Sequence, residues 1–138
     1  MNTLIICYGN TLMGNDGFGK AVYDALPQSL NKIFTHQLLP ELLENVAEYE
    51  QLIFVDASIG QGETEIYEIE PDNSDTANMH HLTPQVFLSF LRSLYGTTPK
   101  AYLCAGYFDS FELDKIDDDF GQKVTKAVHL ILSVISVA

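Results

Sequence analysis

Short apolar runs alternate along the chain with segments in which apolar residues recur every three or four positions. The runs are typical of buried strands, and the three- and four-residue spacing is typical of helices with one buried face. The predicted strands are Leu4 to Tyr8, Ile33 to Gln37, Leu52 to Asp56, Glu65 to Ile69 and Ala101 to Gly106. The predicted helices are Gly17 to Leu26, Pro40 to Tyr49, Pro84 to Tyr95 and Asp119 to Ser136.

This order predicts a mainly parallel sheet with helices on both faces, because parallel neighbours need crossover connections and those connections cover the sheet. Residues 57–64 join two consecutive predicted strands without a helix, which allows one edge strand to be antiparallel. The polar stretch Pro71 to Asn78 is predicted to be an exposed loop, and no repeat or linker divides the chain. We therefore predict one domain, residues 1–138, with a three-layer α/β/α architecture and a mixed, mainly parallel five-stranded sheet.

The composition is that of an ordinary globular protein, with 46% hydrophobic and 19% charged residues. Seven Lys and Arg residues against nineteen Asp and Glu residues give a formal net charge of -12. Such a surface repels nucleic acid and anionic membranes and favours cations or basic peptide segments. We therefore expect neither a nucleic-acid partner nor a membrane partner.

Cysteine usage and the chain ends predict a cytoplasmic protein. Cys7 and Cys104 lie in apolar runs without a C-x-x-C motif, so both are interpreted as small core residues in a reducing compartment. The N-terminus has neither the basic region nor the cleavage site of a signal peptide. The apolar run from Leu130 to Ala138 is shorter than the ~20 residues that a membrane span requires.

The first predicted strand leads into a glycine-rich segment, Gly9 to Gly19, that carries an acid. A phosphate-binding loop of the Walker type needs a lysine, but this segment has Asp16 and no basic residue before Lys20. Its glycines also lack the G-x-G-x-x-G spacing of a dinucleotide site. The segment is therefore predicted to present a carboxylate to a cation or a peptide bond.

Further polar residues are expected at the same edge of the sheet. Ligands of open α/β sheets bind beyond the carboxyl ends of the strands. Asp16 follows the first strand, Asp56 ends the third, and His80 and His81 precede the third helix. Two carboxylates and one imidazole there would form a metal site with open coordination positions, suited to Ni²⁺, Zn²⁺ or Fe²⁺.

Each of these residues also has a structural interpretation. Asp16 fits a cap of the first helix, and Asp56 fits a solvated strand end. Adjacent histidines more often include one spectator than two ligands, so the pair leaves open which of them matters. His36 and His129 are interpreted as packed or exposed residues without function. The spacing alone does not bring the candidate groups together.

Three segments resemble the nickel-iron hydrogenase maturation endopeptidases: Gly9 to Gly19, Ile53 to Ala57, and His80-His81-Leu82-Thr83. Members of that family remove a short C-terminal extension from the hydrogenase large subunit after nickel has been installed. The resemblance runs from the first strand to the last helix and implies a phosphorylase/hydrolase-like α/β/α fold. It also implies an endopeptidase whose partner is the nickel-loaded large-subunit precursor. The segments His36 to Leu42 and Ser110 to Leu113 resemble the branch that processes bidirectional, nicotinamide-linked hydrogenases.

The resemblance places the family's three metal-contacting positions, here also the candidate catalytic residues, on Asp16, Asp56 and His80. The nickel would be presented by the substrate, with Zn²⁺ or Cd²⁺ as substitutes in the free protein. The family's loop usually has two consecutive acids, but here the first is Asn15, which weakens the negative charge. Many relatives have Ile-Gln-Pro where this chain has residues 106–108, Gly-Tyr-Phe, so substrate contact there is expected to differ.

Two functional interpretations remain open. The first is a processing endopeptidase, whose water would be activated by a carboxylate base or by a metal. The sequence has neither G-x-S-x-G nor H-E-x-x-H, which disfavours serine-hydrolase and zincin chemistry. The second is a non-enzymatic, metal-dependent chaperone or a small-molecule binding module on the same fold. Asn15 is the sequence feature that favours this second interpretation.

Overall fold

A five-stranded mixed sheet organises the chain in the computed structural model, which describes residues 1–72 and 82–137. The strands are β1 (Thr3–Tyr8), β2 (Lys32–Thr35), β3 (Gln51–Ile59), β4 (Glu65–Ile69) and β5 (Lys100–Phe108). The helices are α1 (Phe18–Ala25), α2 (Leu43–Val46), α3 (Pro84–Tyr95) and α4 (Phe120–Val137), and 3₁₀ segments cover Thr11–Gly17 and Pro40–Leu42. None of the helices in the described ranges is long and apolar enough to cross a membrane.

The strand order in the sheet is β2-β1-β3-β5-β4. The pairs β1–β2, β1–β3 and β3–β5 are parallel, whereas β4 is antiparallel to β5 at one edge. The predicted mixed sheet and its antiparallel edge strand are therefore confirmed. The edge strand pairs with β5, which follows it in the sequence, and not with β3, which precedes it.

Both faces of the central strands are buried, because alternate side chains of a strand point to opposite faces and helices cover each of them. One face packs against α3, and the cluster there includes Leu4, Ile6, Leu52, Phe54, Leu103, Phe87, Leu88 and Leu91. The other packs against α1 and α4, and its cluster includes Ile5, Cys7, Ile53, Val55, Cys104, Phe18, Val22, Ala127 and Ile131. The sheet is thus the middle layer of the predicted three-layer α/β/α fold.

Both cysteines are free and fully buried, as predicted for core residues. In the strand register Val55 lies between Cys7 and Cys104. The two cysteines are therefore separated by twice the distance between neighbouring strands, which places their Cα atoms about 9–10 Å apart, beyond the ~7 Å limit for a disulfide. Burial raises the pKa of both thiols, so neither is activated as a nucleophile.

Three local predictions differ from the structure. Strand β3 continues beyond Asp56 to Ile59, because its last residues still pair with β5 as far as Phe108. The predicted helix from Pro40 to Tyr49 is a 3₁₀ turn followed by the short α2. The segment after β1, for which no regular element was predicted before the helix at Gly17, is a 3₁₀ segment over Thr11–Gly17. The predicted loop from Pro71 to Asn78 lies outside the described residues from residue 73 onward.

Candidate active site

The segment after β1 folds back so that the Asp16 carboxylate returns to the end of the strand. Its Oδ2 accepts a hydrogen bond from the backbone N–H of Asn10 at 2.8 Å. Gly9 permits this return, because it has a φ of 152° and a Cβ there would lie 2.2 Å from the carbonyl oxygen of Asp16. The glycine-rich motif therefore brings a carboxylate close to the backbone at the carboxyl edge of the sheet.

The interpretation of Asp16 as a helix cap is wrong. Helix α1 begins after Gly17, and no side chain caps its N-terminus. Asp16 holds the Asn10 backbone instead, through one of its two oxygens. The second oxygen makes no hydrogen bond within the described residues and retains its capacity to bind a cation.

Asp56 lies within β3, between β1 and β5. Its partner in β5 is Ala105. On the other side of β3, Cys7 of β1 pairs with Val55, so the next residue of β1, Tyr8, lies next to Asp56. Tyr8 and Asp56 therefore stand side by side, on the face of the sheet that packs against α3. The interpretation of Asp56 as a solvated strand end is wrong, since this carboxylate is partly buried inside a strand.

Both carboxylates hold their protons more tightly than exposed acids. Burial raises the pKa of Asp56 to about 6, and the nearby Asp16 contributes to the rise, while Tyr8 and the Ala57 backbone oppose it. Burial also raises the pKa of Asp16, against the hydrogen bond from Asn10. The two acids are therefore close enough for their charges to repel each other.

No cation in the described part of the chain compensates this pair. The salt bridges there join Lys20 with Asp24, Lys115 with Glu112, Lys123 with Asp119 and Lys126 with Glu63. A bound cation would favour the ionised form of both acids and remove their repulsion. The arrangement is therefore suited to receiving a positive charge.

Tyr8 is a site residue that the sequence pattern did not indicate. Its hydroxyl is buried and has no partner at ordinary hydrogen-bond geometry within residues 1–72 and 82–137. It nevertheless lies near enough to Asp56 to lower the pKa of that acid. Burial, followed by the charge of Asp56, raises the pKa of the phenol well above its usual value, so the hydroxyl keeps its proton. A tyrosine at the end of an apolar strand, one residue before Gly9, was the available signal.

Asn15 connects the Asp16 segment to the residues after β5. Its side-chain amide donates to the Ser110 carbonyl at 3.0 Å, and its Oδ1 accepts from the Asp117 backbone N–H at 3.0 Å. The residue is 1% exposed. A carboxylate at this position has no N–H to donate to Ser110. Asparagine is therefore required by the local structure of this chain, which removes the basis for interpreting it as a sign of lost activity.

Asn15→Asp is expected to destabilise the protein by about 2 kcal/mol or more, because a buried charge would face the Ser110 carbonyl and one hydrogen bond would be lost. Thermal and urea unfolding at pH 7 measure this change. Asn31→Asp, at an exposed position before β2, is the matched control and should leave the free energy of unfolding nearly unchanged. Equal stability of the two variants would contradict the anchoring role.

The structure thus brings together two of the predicted ligands, Asp16 and Asp56. His80 and His81 lie outside the described residues, so the imidazole ligand stays a prediction. Within the part of the chain that is described, no three metal-ligating side chains form a cluster. His36, whose ring contacts Phe34, and His129 on α4 are both exposed, in agreement with their interpretation as residues outside the site.

Comparison with known proteins supports the fold. No family model and no curated protein matches the sequence. The hydrogenase maturating endopeptidase HybD from E. coli has a similar structure, with a TM-score of 0.79, 21% identity, and 99% of this chain and 93% of that chain covered. The [NiFe] hydrogenase maturation protease HybD from Thermococcus kodakarensis has a TM-score of 0.73 and 18% sequence identity, with 97% of this chain and 99% of that chain covered. The hydrogenase 2 maturation peptidase from Thaumarchaeota archaeon SCGC_AB-539-E09 has a TM-score of 0.70 and 21% sequence identity, with 100% of both chains covered. The chain therefore has the fold of these proteases, as the sequence resemblance implied.

Proposed function

We propose that this protein is an endopeptidase that removes a C-terminal peptide from the nickel-loaded large subunit of a nickel-iron hydrogenase precursor. One observation carries the proposal: Asp16 and Asp56, far apart in sequence, form an acidic pair at the carboxyl edge of the sheet, and no Lys or Arg of residues 1–72 and 82–137 forms a salt bridge with either acid. Three solved structures with the same fold are named as hydrogenase maturation proteases, peptidases or endopeptidases, which supports the assignment.

In the proposed complex the metal belongs to the substrate. Asp16, Asp56 and His80 would contact nickel that the precursor already holds, which positions the peptide bond to be cut. Because two carboxylates repel each other without a cation, a nickel-bearing precursor gains binding energy that an empty one does not. This difference would make cleavage a checkpoint on nickel insertion.

Hydrolysis needs a water molecule from which a proton is removed. Asp56 is suited to be the base, because burial raises its pKa to about 6 in the metal-free protein, and a cation at the site would keep the carboxylate ionised and able to accept a proton. Activation of the water by the substrate's metal is the second route. In both routes Asp16 supplies negative charge to the metal, and the peptide amine leaves with a proton.

The alternative is a non-enzymatic chaperone or small-molecule binding module with the same fold. Its support in the sequence was the replacement of the family's first acid by Asn15. Since Asn15 binds two backbone groups that an acid would not satisfy together, this replacement has a structural cause. No other described residue favours the alternative.

The proposed activity is tested by incubating the protein with a nickel-loaded large-subunit precursor and measuring the precursor mass. We expect a shortened large subunit, whereas a metal-free precursor should stay intact. Thiol-directed inhibitors should leave the rate of cleavage unchanged, because both cysteines are buried and their pKa values are raised. Serine-directed inhibitors should also leave it unchanged, because the sequence has no G-x-S-x-G motif. An unshortened loaded precursor would exclude the endopeptidase, and equal cleavage of both precursors would exclude the checkpoint.

The free protein is expected to bind Cd²⁺ or Ni²⁺ weakly, since two carboxylates and one imidazole leave several positions to water. Calorimetry at pH 7 measures the affinity. His80→Ala should weaken binding, and His81→Ala serves as its control because the neighbouring ring is interpreted as a spectator. The reverse order would mean that His81 is the ligand, and unchanged binding in both variants would exclude an imidazole from the site.

A further inference from the structure

Two adjoining segments, one of which carries Asp16, present exposed aliphatic side chains that are together called the apolar patch. The patch consists of Leu12, Leu113 and Ile116, which are 66%, 66% and 57% exposed. Leu12 lies in the segment that carries Asp16, and the other two lie in the segment after β5. A single exposed leucine needs no explanation, but several large aliphatic side chains on neighbouring segments are typical of an interaction site.

The two segments that present the patch are bound to each other. Asn15 bonds to backbone groups of Ser110 and Asp117, and the backbone N–H of Asp114 donates to the Leu12 carbonyl. Gly14 lies so close to the second segment that a Cβ would be 1.9 Å from the Lys115 carbonyl oxygen. These contacts fix the backbone that carries the patch relative to the Asp16 segment, so that a partner bound there would lie near that segment.

Acidic residues flank Leu113 and Ile116 in the sequence. Glu112 pairs with Lys115, but Asp114, Asp117 and Asp118 form no salt bridge within the described ranges. The chain as a whole carries a formal net charge of -12. The complementary surface is therefore one with apolar side chains at its centre and Lys or Arg at its rim.

We propose that the apolar patch is the docking surface for the hydrogenase large-subunit precursor, through a face of that protein with apolar residues flanked by Lys and Arg. This inference rests on the proposed function and extends it, because it assigns recognition of the protein to residues outside the acidic pair. The patch contributes binding of the precursor, whereas Asp16 and Asp56 contribute recognition of the metal and the chemistry.

The test uses the full chain and a nickel-loaded large-subunit precursor immobilised on a sensor surface. The triple variant Leu12→Ser, Leu113→Ser, Ile116→Ser should bind the precursor about tenfold more weakly or worse, since buried apolar anchors dominate protein interfaces. In the cleavage assay KM should rise by about the same factor while kcat stays within about twofold. All three side chains are exposed, so the melting temperature should hardly change.

The chain offers a matched control in Leu94, which is 62% exposed near the end of α3. It lies shortly before the first residue of β5, at the amino ends of the parallel strands and away from their carboxyl ends. Leu94→Ser should bind and cleave like the parent. A second variant, Asp114→Asn, Asp117→Asn, Asp118→Asn, should slow association at low salt and flatten its salt dependence. Charge and apolar contact are thereby tested separately.

Equal binding of the parent and the triple serine variant would overturn the inference. So would a parent that self-associates in sedimentation and a triple variant that does not, because the patch would then belong to a second copy of the chain. A parent that binds the precursor through the patch without shortening it would support the docking surface and refute the proposed hydrolysis. The two proposals therefore fail by different measurements.

Discussion

Asp16→Asn is expected to abolish cleavage of the nickel-loaded precursor while the protein stays folded. The amide has the size of the carboxylate, and its oxygen still accepts the hydrogen bond from the Asn10 N–H, so the segment after β1 keeps its path. What disappears is a negative charge facing the metal, and loss of one ligand from a three-residue site should lower kcat/KM by about 100-fold or more. Mass spectrometry of the precursor and thermal unfolding measure the two effects.

The melting temperature of Asp16→Asn should be unchanged or slightly higher. Burial raises the pKa of Asp16, so its charge is unfavourable in the folded protein without a cation. Asp24→Asn is the matched control, because Asp24 is an exposed acid whose 3.0 Å salt bridge with Lys20 joins residues of one helix. That variant should retain parental cleavage. Parental cleavage by Asp16→Asn would limit Asp16 to holding the Asn10 backbone.

The sequence predicts the strands and the longer helices of this fold well, because their signals are local. Strand β3 contains a continuous apolar run, residues 52–55, as expected for a strand buried on both faces. Helix α3 begins where Thr83 and Pro84 predict, with the Thr83 hydroxyl accepting from the Val86 N–H. The pairing of β4 with β5 has no local signal in the sequence, since it depends on which strand lies at the free edge of the sheet.

The candidate site is only partly predictable for the same reason. Asp16 and Asp56 were identified from their places after the first predicted strand and at the end of the third, but no spacing rule shows that their charges meet. The contacts of Asn15 span 95 and 102 residues, so its anchoring role has no local signal. Tyr8 gains its importance from the register of β1 with β3, which sequence periodicity does not fix.

Asp56→Asn is expected to stabilise the metal-free protein at pH 8 and to abolish cleavage. Burial, with the charge of Asp16, raises the pKa of Asp56 from 3.8 to about 6. Ionised Asp56 therefore costs the folded protein on the order of 3 kcal/mol above that pH, since each tenfold change in proton affinity corresponds to about 1.4 kcal/mol. Asparagine removes this cost, and the melting temperature should rise by about 5 °C or more.

The pH dependence of this stabilisation has the opposite sign to that of a carboxylate that stabilises the fold through a salt bridge or hydrogen bonds, whose pKa is lowered in the folded state. A raised pKa in the folded state means that protonation of Asp56 stabilises the fold, so the contribution of this group to the free energy of unfolding rises as the pH falls from above 6 towards 4. The advantage of Asp56→Asn should therefore be full at pH 8, shrink between pH 6 and 4, and vanish below the pKa of the unfolded chain. Thermal unfolding in a chelator across this range measures it.

The matched control is Asp109→Asn, an exposed acid directly after β5. Its melting temperature should follow that of the parent at every pH. If Asp56→Asn is more stable than the parent but does not cleave, the charge at this position is unfavourable for the fold and needed for the reaction. Functional sites often retain such residues at the expense of stability. Asp56→Asn that is less stable than the parent at pH 8 would instead make the carboxylate a structural partner of Tyr8 and the Ala57 backbone, and would remove it from the candidate active site.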